Sequence, residues 1–558
     1  MRINYQLANY PLMLQRLVPG GWIAVTIAIA LLIVSPVLFV LGNIFADNSE
    51  VWNHLAETVL PRYMANSLWL MLGVGSGVLL IGVGTAWLVT TCSFWGSKIF
   101  EWALLLPLAT PAYLLAYSYT ELLEFYGPVQ MTLRDWFGWS SVGDYWFPNV
   151  RSLGGAIMLL TLVLYPYVYL LARVAFLEQC TCTLEASRSL GCGPWRSFTT
   201  VALPLARPAI MAGLSLALME NLSDFGTVKF FGVDTFTTGI YRTWFGMGER
   251  VAAAQLAAFL LLFIFGLILL ERWSRRQAKY YQSGSDYSPM QPYQLKGIRA
   301  TLASIACLLP LSLGFLLPAG LLLQMTWENP ETINDRFWGL ATNSFILAVI
   351  TAILAVIVAV VIAYGVRLQS HIAMELAARV TAMGYAIPGS VIAVGILIPV
   401  GRLDNAIDGW MRGTFGISTG LLLSGTIAAL IFAYLVRFLA VSFGTVESSL
   451  GKIKPNLDDA ARSLGHSPTS TLLRVHAPMM GGGLLTAAML VFVDVMKELP
   501  ATLIIRPFNF DTLAIRVYNL ASDERLAEAA APALAIVLVG IIPVIFLSWQ
   551  IAVRSHHR

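Results

Sequence analysis

Charged residues make up only 12 % of this 558-residue chain, and cysteine occurs five times. That much charge cannot cover a soluble protein of this length. With 57 % hydrophobic residues and a mean hydropathy of +0.72, the chain must be solvated by lipid. The cysteines Cys92, Cys180, Cys182, Cys192 and Cys307 make no CxxC pair and no ligand-spaced set with histidine, which argues for free thiols. No GxxxxGK[ST] sequence occurs; Gly451-Lys452 is followed by Ile453 and has no glycine five positions before it. Any ATP-driven step therefore needs another subunit. The histidines (His54, His371, His466, His476, His556 and His557) form no HExxH or Ser-His-Asp arrangement, which argues against a membrane enzyme. Met1–Gly20 lacks the apolar core and cleavage site of a signal peptide, so the first apolar stretch is expected to be a retained span.

Long apolar runs are what the chain has instead. A bilayer core of about 30 Å takes about 20 apolar residues per helix. Windows of that kind lie near 21–43, 66–90, 99–120, 154–172, 208–223, 251–270, 301–325, 342–366, 378–400, 419–436, 480–496 and 530–553, which predicts twelve spans. The fifth and eleventh are the weakest, because Glu220, Asp224, Asp494 and Glu498 punctuate their ends. With a cytoplasmic N-terminus, the inward segments hold 22 of the 35 Lys and Arg and about 9 of the 31 acids. The basic bias orients the chain with both termini in the cytoplasm. A formal net charge of +4 thus conceals two oppositely charged faces and implies no nucleic-acid partner.

A repeat organises the spans. EASRSLGCGPWRSFTTVALP at Glu185–Pro204 returns as DAARSLGHSPTSTLLRVHAP at Asp459–Pro478, with Arg188/Arg462, Gly191/Gly465, Pro194/Pro468 and Pro204/Pro478 all 274 residues apart. Asp224/Glu498 and Arg242/Arg516 keep that offset, whereas Asn66/Asn343 and Pro111/Pro388 are 277 apart. Both loops must face one compartment, so each unit needs an even number of spans. Six plus six satisfies this, with parallel halves. The expected units are 1–270, with its loop at 179–207, and 301–558, with its loop at 447–479, joined by a polar cytoplasmic linker at 271–300. Gly73, Gly75, Gly77, Gly82 and Gly84 suit close helix packing in lipid.

Within the second loop, Leu457, Ala460, Ala461 and Leu464 fall at i, i+3, i+4 and i+7, a small-and-apolar stripe on a short helix; Thr183, Ala186, Ser187 and Leu190 match it in the first. Gly191 and Gly465 can end these helices in a left-handed conformation, and Glu185 or Asp459 complements the positive end of the dipole. Just beyond the loops, Glu220, Asp224, Asp494, Lys497 and Glu498 lie near membrane depth, where charge is costly and usually lines a pathway or gate. The same acids could equally mark hydrated span ends or pair with Lys229 and Lys497.

The duplicated loop resembles the EAA signature of ABC-importer permeases, the cytoplasmic loop that docks on the ATPase subunit. The segment Lys497–Pro532 and the two-unit length are similar to ferric-iron permeases of that family. The resemblance implies an all-α polytopic membrane protein of about twelve transmembrane helices, in two parallel six-helix repeats of the type I importer (MetI-like) fold. It implies a transport subunit of the bacterial inner membrane, with two cytoplasmic ABC ATPases and a periplasmic substrate-binding protein as partners. No cofactor is expected on this chain; ATP and Mg belong to the ATPase. The docking residues carried over are Glu185, Ala186, Gly191, Pro204, Asp459, Ala460, Ala461, Gly465 and Pro478. Two departures, Ser187 facing Ala461 and Asp459 in place of glutamate, imply docking sites of unequal strength. Fe(III) is the expected solute, with thiamine or a phosphonate as alternatives, and any metal-binding residues stay open. An ion-driven secondary transporter would leave the duplicated docking signature without a purpose.

Overall fold

The computed structural model describes residues 20–46, 49–179, 187, 189–276, 292–368 and 371–556. Glu185, Ala186, Cys180, Cys182 and half of the expected linker, 277–291, lie outside them, as do residues 1–19 and the two C-terminal residues. Among the described residues the architecture is helical apart from one two-stranded parallel pairing, Cys92–Ser93 with Tyr293–Gln294.

Among the described residues, ten helices are long and apolar enough to cross a membrane. In the first half they are Gly21–Phe45, Leu60–Thr91, Leu153–Leu177, Trp195–Ser223 and Arg250–Glu271. In the second they are Ile298–Glu328, Asp335–Leu368, Gly389–Phe415, Ile427–Gly451 and Leu526–Ile545. Two bent pairs, Ser97–Ala109 with Ala112–Phe137 and Pro468–Met479 with Gly481–Met496, bring the number to twelve if each pair is one span. The expected third window is thus broken, by a bend of 91°, whereas the eleventh forms one helix, Gly481–Met496, with the 80° bend at its start. The ninth is displaced: 372–382 forms its own helix, and the long helix starts only at Gly389.

Proline sets two of these breaks. Pro111 and Pro388 precede the helices Ala112–Leu123 and Gly389–Phe415 with φ −58° and ψ 143° and 142°. Proline lacks the N–H a continuing helix needs and pushes the residue before it out of the helical region; Thr110 is accordingly extended. One local conformation at an offset of 277 makes the repeat structural as well as sequential.

Internal contacts divide the chain into two compact units that cut across the sequence halves. The smaller comprises 20–36, Ala348–Tyr385 and Tyr434–Phe492; the larger comprises Val37–Leu347, Ala386–Ala433 and the chain from Val493. In the larger unit, helix Leu60–Thr91 lies against Leu153–Glu178 along a row of glycines. A Cβ on Gly73 would come within 2.7 Å of Ile157, on Gly77 within 2.6 Å of Thr161, and on Gly82 within 2.8 Å of Val168 and 3.0 Å of the Tyr165 carbonyl. The contacts advance in the same direction on both helices, so these two even-numbered spans run parallel, as the topology requires. Gly75 has ordinary clearance and Gly84 faces open space, so the packing role belongs to three of the five glycines.

Further evidence for the repeat comes from Asn66 and Asn343, whose Nδ2 atoms donate to the Asp234 and Asp511 carbonyls, each 168 residues on. The helices that follow are capped by Thr235 and Thr512, again 277 apart. This corrects the pairing of Arg242 with Arg516: in the structural register Arg242 matches Asn519, and Arg516 matches Gly239. Three residues are inserted in the second half between Glu498 and Asp511, one in the short helix Pro500–Ile505 and two after it. The cation serving the matched aspartates moves accordingly, from Arg242 on Asp234 to Arg506 on Asp511.

Substituting alanine at Gly82 is expected to lower stability by about 1–3 kcal/mol, because backbone atoms of the facing helix must move. Gly84→Ala should stay within about 0.5 kcal/mol. Thermal unfolding of the detergent-purified protein would check both.

Candidate docking loops and the buried acids beyond them

The second loop lies entirely within the smaller unit and its docking helix is Asn456–Ser463, with Asp458 and Asp459 in the first turn. Gly465 ends it at φ +79°: its N–H donates to the Arg462 carbonyl at 3.0 Å, and the His466 N–H donates to the Ala461 carbonyl at 3.0 Å. These two bonds satisfy helix-end carbonyls and require the left-handed residue. A Cβ on Gly465 would meet nothing within 4 Å, so the demand on this position is conformational. In the first loop Gly191 has φ +78°, and the Cys192 N–H donates to the Ser187 carbonyl at 3.0 Å, the equivalent bond.

Each loop continues into a short helical turn, Pro194–Ser197 or Pro468–Thr471, and then a wide π-helical turn, Phe198–Ala202 or Leu472–His476. Pro204 and Pro478 stand two residues past the π turn. Without an N–H to donate backwards, proline favours such a widening; the same pattern recurs at Ser312–Leu316 before Pro318. The signature prolines therefore shape the re-entry into the span.

Outward-facing groups differ from the expected stripe. Leu457, Ala460 and Leu464 are exposed, the last by 79 %, with Asp459 beside them, while Ala461 is buried at 5 % and packs inward. In the first loop Leu190 is 84 % and Trp195 75 % exposed. The Ser187 departure has a structural partner: its hydroxyl meets that of Ser197 at 2.8 Å, a buried pair that Ala461 and Thr471 replace in the second copy.

Sequence reasoning missed the residues that mount the second loop. Asp458 Oδ2 accepts from Arg367 Nε at 2.9 Å and Nη2 at 2.6 Å, and Oδ1 lies 2.6 Å from His476 Nε2. Arg367 also donates to the carbonyls of Leu450 at 2.7 Å, which accepts from the Ile453 N–H as well, and of Ile453 at 2.9 Å, just past the helix end. Tyr364 donates to the Pro468 carbonyl at 2.9 Å, and its ring stands 5.5 Å from that of His476, which is fully buried. The available signal was the alignment of the copies, which sets Asp458 against Leu184 and His476 against Ala202.

Beyond the loops, the larger unit holds the five acidic and basic candidates. Asp224 accepts from Thr227 Oγ1 at 3.0 Å and the Val228 N–H at 3.1 Å, at the start of helix Gly226–Phe230. Glu498, only 5 % exposed, accepts from the Ala501 N–H at 3.0 Å, the Thr502 N–H at 3.1 Å and Thr502 Oγ1 at 2.7 Å, at the start of Pro500–Ile505. Both acids cap the short helix that follows; Glu498 is buried, while Asp224 is half-buried and also closes helix Leu203–Ser223. Lys497 pairs with Asp494 at 2.9 Å, where Glu220 and Tyr167 are near enough to act on it electrostatically. The two capping loops approach each other around Tyr113. A Cβ on Gly226 would lie 2.5 Å from Tyr113 Cβ and 3.2 Å from Leu499. Among the described residues, no group of three or more His, Cys, Asp and Glu side chains is placed to hold a metal ion.

Comparison with known proteins places the chain among transport permeases. Residues 78–279 match the family described as binding-protein-dependent transport system inner membrane component. The chain is 27 % identical over 498 residues to the Fe(3+)-transport system permease protein FbpB 2 of Haemophilus influenzae, covering 88 % of this chain and 90 % of that protein. It is 21 % identical to the ferric transport system permease protein FbpB of Actinobacillus pleuropneumoniae, over 95 % of this chain and 78 % of that one. It is also 30 % identical to the molybdenum transport system permease protein ModB of Escherichia coli, over 35 % of this chain and 84 % of that protein. A stretch well short of half this chain thus accounts for most of a molybdenum permease, as a duplicated unit requires.

Replacing Glu498 by Ala leaves buried N–H groups unpaired and is expected to lower stability by about 1–3 kcal/mol. Glu498→Gln retains an acceptor and should cost less. If both variants lose uptake only in proportion to lost thermal stability, the carboxylate acts as a cap; uptake lost by Glu498→Gln at unchanged stability assigns it an electrostatic role in the pathway.

Proposed function

The chain belongs to the family of binding-protein-dependent transport system inner membrane components, and on that premise we propose that it moves Fe(III) across the inner membrane. It is a permease, a transport component of an ABC importer in which a substrate-binding protein and ATPase subunits do the rest. The duplicated docking loop carries this reading: two matched loops, each turned by a left-handed glycine, suit a partner with two equivalent clefts. Two cytoplasmic ATPases bind ATP and Mg, close, and move the loops Glu185–Pro204 and Asp459–Pro478. The spans attached to them then alternate between inward-open and outward-open states. Glu185, Ala186, Asp459 and Ala460 meet the ATPase, Ala461 supports the docking helix from inside, and Gly191, Gly465, Pro204 and Pro478 shape the loops. Both termini lie in the cytoplasm.

Ferric relatives matched over most of the chain support iron as the solute. Fe(III) is a hard cation that prefers oxygen ligands, and selection for it is assigned to the periplasmic partner. Asp224 and Glu498 hold the converging loops around Tyr113 on the route, with Glu220, Asp494 and Lys497 beside it. Similarity to a molybdenum permease favours an oxyanion as the second reading. Reconstituted transporter with its binding protein and ATPase should take up radioactive iron with no competition from molybdate, thiamine or a phosphonate; competition by one of these would name that solute instead.

Gly191→Asp combined with Gly465→Asp places side chains where only glycine sits without strain, at about 1–2 kcal/mol per position. The double variant is expected to reach the membrane and to lose uptake at least about tenfold, while the ATPase goes on hydrolysing ATP. Normal uptake would refute the docking role.

A further inference from the structure

The two docking loops are mounted by different chemistry. Arg367 stands at the end of the span Asp335–Leu368 and makes four donor contacts: two to Asp458 on the docking helix and one each to the Leu450 and Ile453 carbonyls, which close the preceding span. Asp458 in turn holds His476, in the π turn that starts the following span. One guanidinium, one carboxylate and one imidazole therefore tie the docking helix to three membrane segments. The contacts are charge-assisted and part-buried, a setting in which such bonds are short and directional. Asp459, next in sequence, is exposed, and its carboxylate lies 3.9 Å from Arg462.

Among the described residues the first loop shows no such set. Leu184 and Ala202 stand where the second has Asp458 and His476, and Thr90 stands where it has Arg367. Thr90 bonds back to its own helix at the Ala86 carbonyl. This loop is held by the Ser187–Ser197 hydroxyl pair, by Gln179 donating to the Ala202 carbonyl at 2.8 Å, and by the packed rings of Trp87, Phe176 and Phe198. Packed rings and neutral hydrogen bonds resist compression but tolerate sliding. The charged set fixes direction and distance together.

We propose that Arg367, Asp458 and His476 are positioning residues that make the second docking helix and the ends of its three spans move as one body. ATP-driven motion then enters the membrane chiefly through the second loop. This rests on the reading of the loops as ATPase docking sites and deepens it. Asp458 and Arg367 act on the solute only through the helices they join.

The test needs no knowledge of the solute. Hydrogen exchange is followed in the complete transporter in lipid nanodiscs, with and without ATP and Mg, on peptides covering 357–368 and 456–466. In the wild type, nucleotide is expected to slow exchange at the docking helix and to change it by at least about threefold at 357–368. In Asp458→Asn the docking helix should still respond while 357–368 does not. His476→Gln, which keeps a donor toward Asp458, should preserve the response, and His476→Leu should lose it. Ser197→Ala in the first loop should leave the response at 357–368 unchanged. Arg367→Lys, which keeps the charge and part of the contact, should fall between wild type and Asp458→Asn and serves if the latter does not fold. A wild type in which 357–368 never responds, or an Asp458→Asn that responds fully, overturns the proposal. A docking helix insensitive to nucleotide in the wild type overturns the docking reading itself, which separates the two failures.

Discussion

Lipid offers no hydrogen bonds, so every interruption of a spanning helix has to be satisfied from within the protein. The functional geometry of this chain is a set of answers to that constraint. At the docking loops, left-handed Gly191 and Gly465 return the next N–H to the helix-end carbonyls. At the end of span Ile427–Gly451, Arg367 donates to the Leu450 and Ile453 carbonyls. Where the chain turns after the loops, Asp224 and Glu498 accept the N–H groups that open the next short helix. A break left unsatisfied would cost several kcal/mol in hydrocarbon, so each break persists only because a particular side chain sits beside it.

This gives the charged residues beyond the loops a meaning that composition cannot assign. A carboxylate near membrane depth reads equally as a solute contact, a hydrated end or half of an ion pair. In the structure Asp224 and Glu498 are capping acceptors, Lys497 is paired with Asp494, and the loops they organise meet at Tyr113. Capping and pathway roles are compatible, because a capped re-entrant segment is a way to place irregular backbone where a route must pass.

Duplication explains why the halves resemble each other, and drift explains where they differ. The Asn66 and Asn343 bonds, the Pro111 and Pro388 breaks and the two π turns before Pro204 and Pro478 are kept. What has changed is how each loop is held. Ser187 with Ser197 in one copy, and Asp458 with Arg367 and His476 in the other, solve one mounting problem with neutral and with charged groups. The inserted residues before Asp511 shifted the register and moved its cation partner from the Arg242 position to Arg506.

Helix number, the repeat, the parity of the spans, the signature loops and the glycines that end them were legible in the chain, because each is a local property: apolar length, spacing, or a single residue's allowed φ. The bends within the third span and just before the eleventh were not, since a bend depends on what packs at the turn as much as on Pro111 or Gly481. Nor could the one-dimensional pattern say that Ala461 faces inward while Ala460 faces out, or that Asp458 rather than Asp459 is held. It also hid that 20–36 packs with segments of the second half. Those outcomes depend on partners 18 to 342 residues away, such as His476 or Arg367 for Asp458 and Pro468, His476 or Trp22 for Tyr364, and only tertiary contact decides which neighbour a side chain meets.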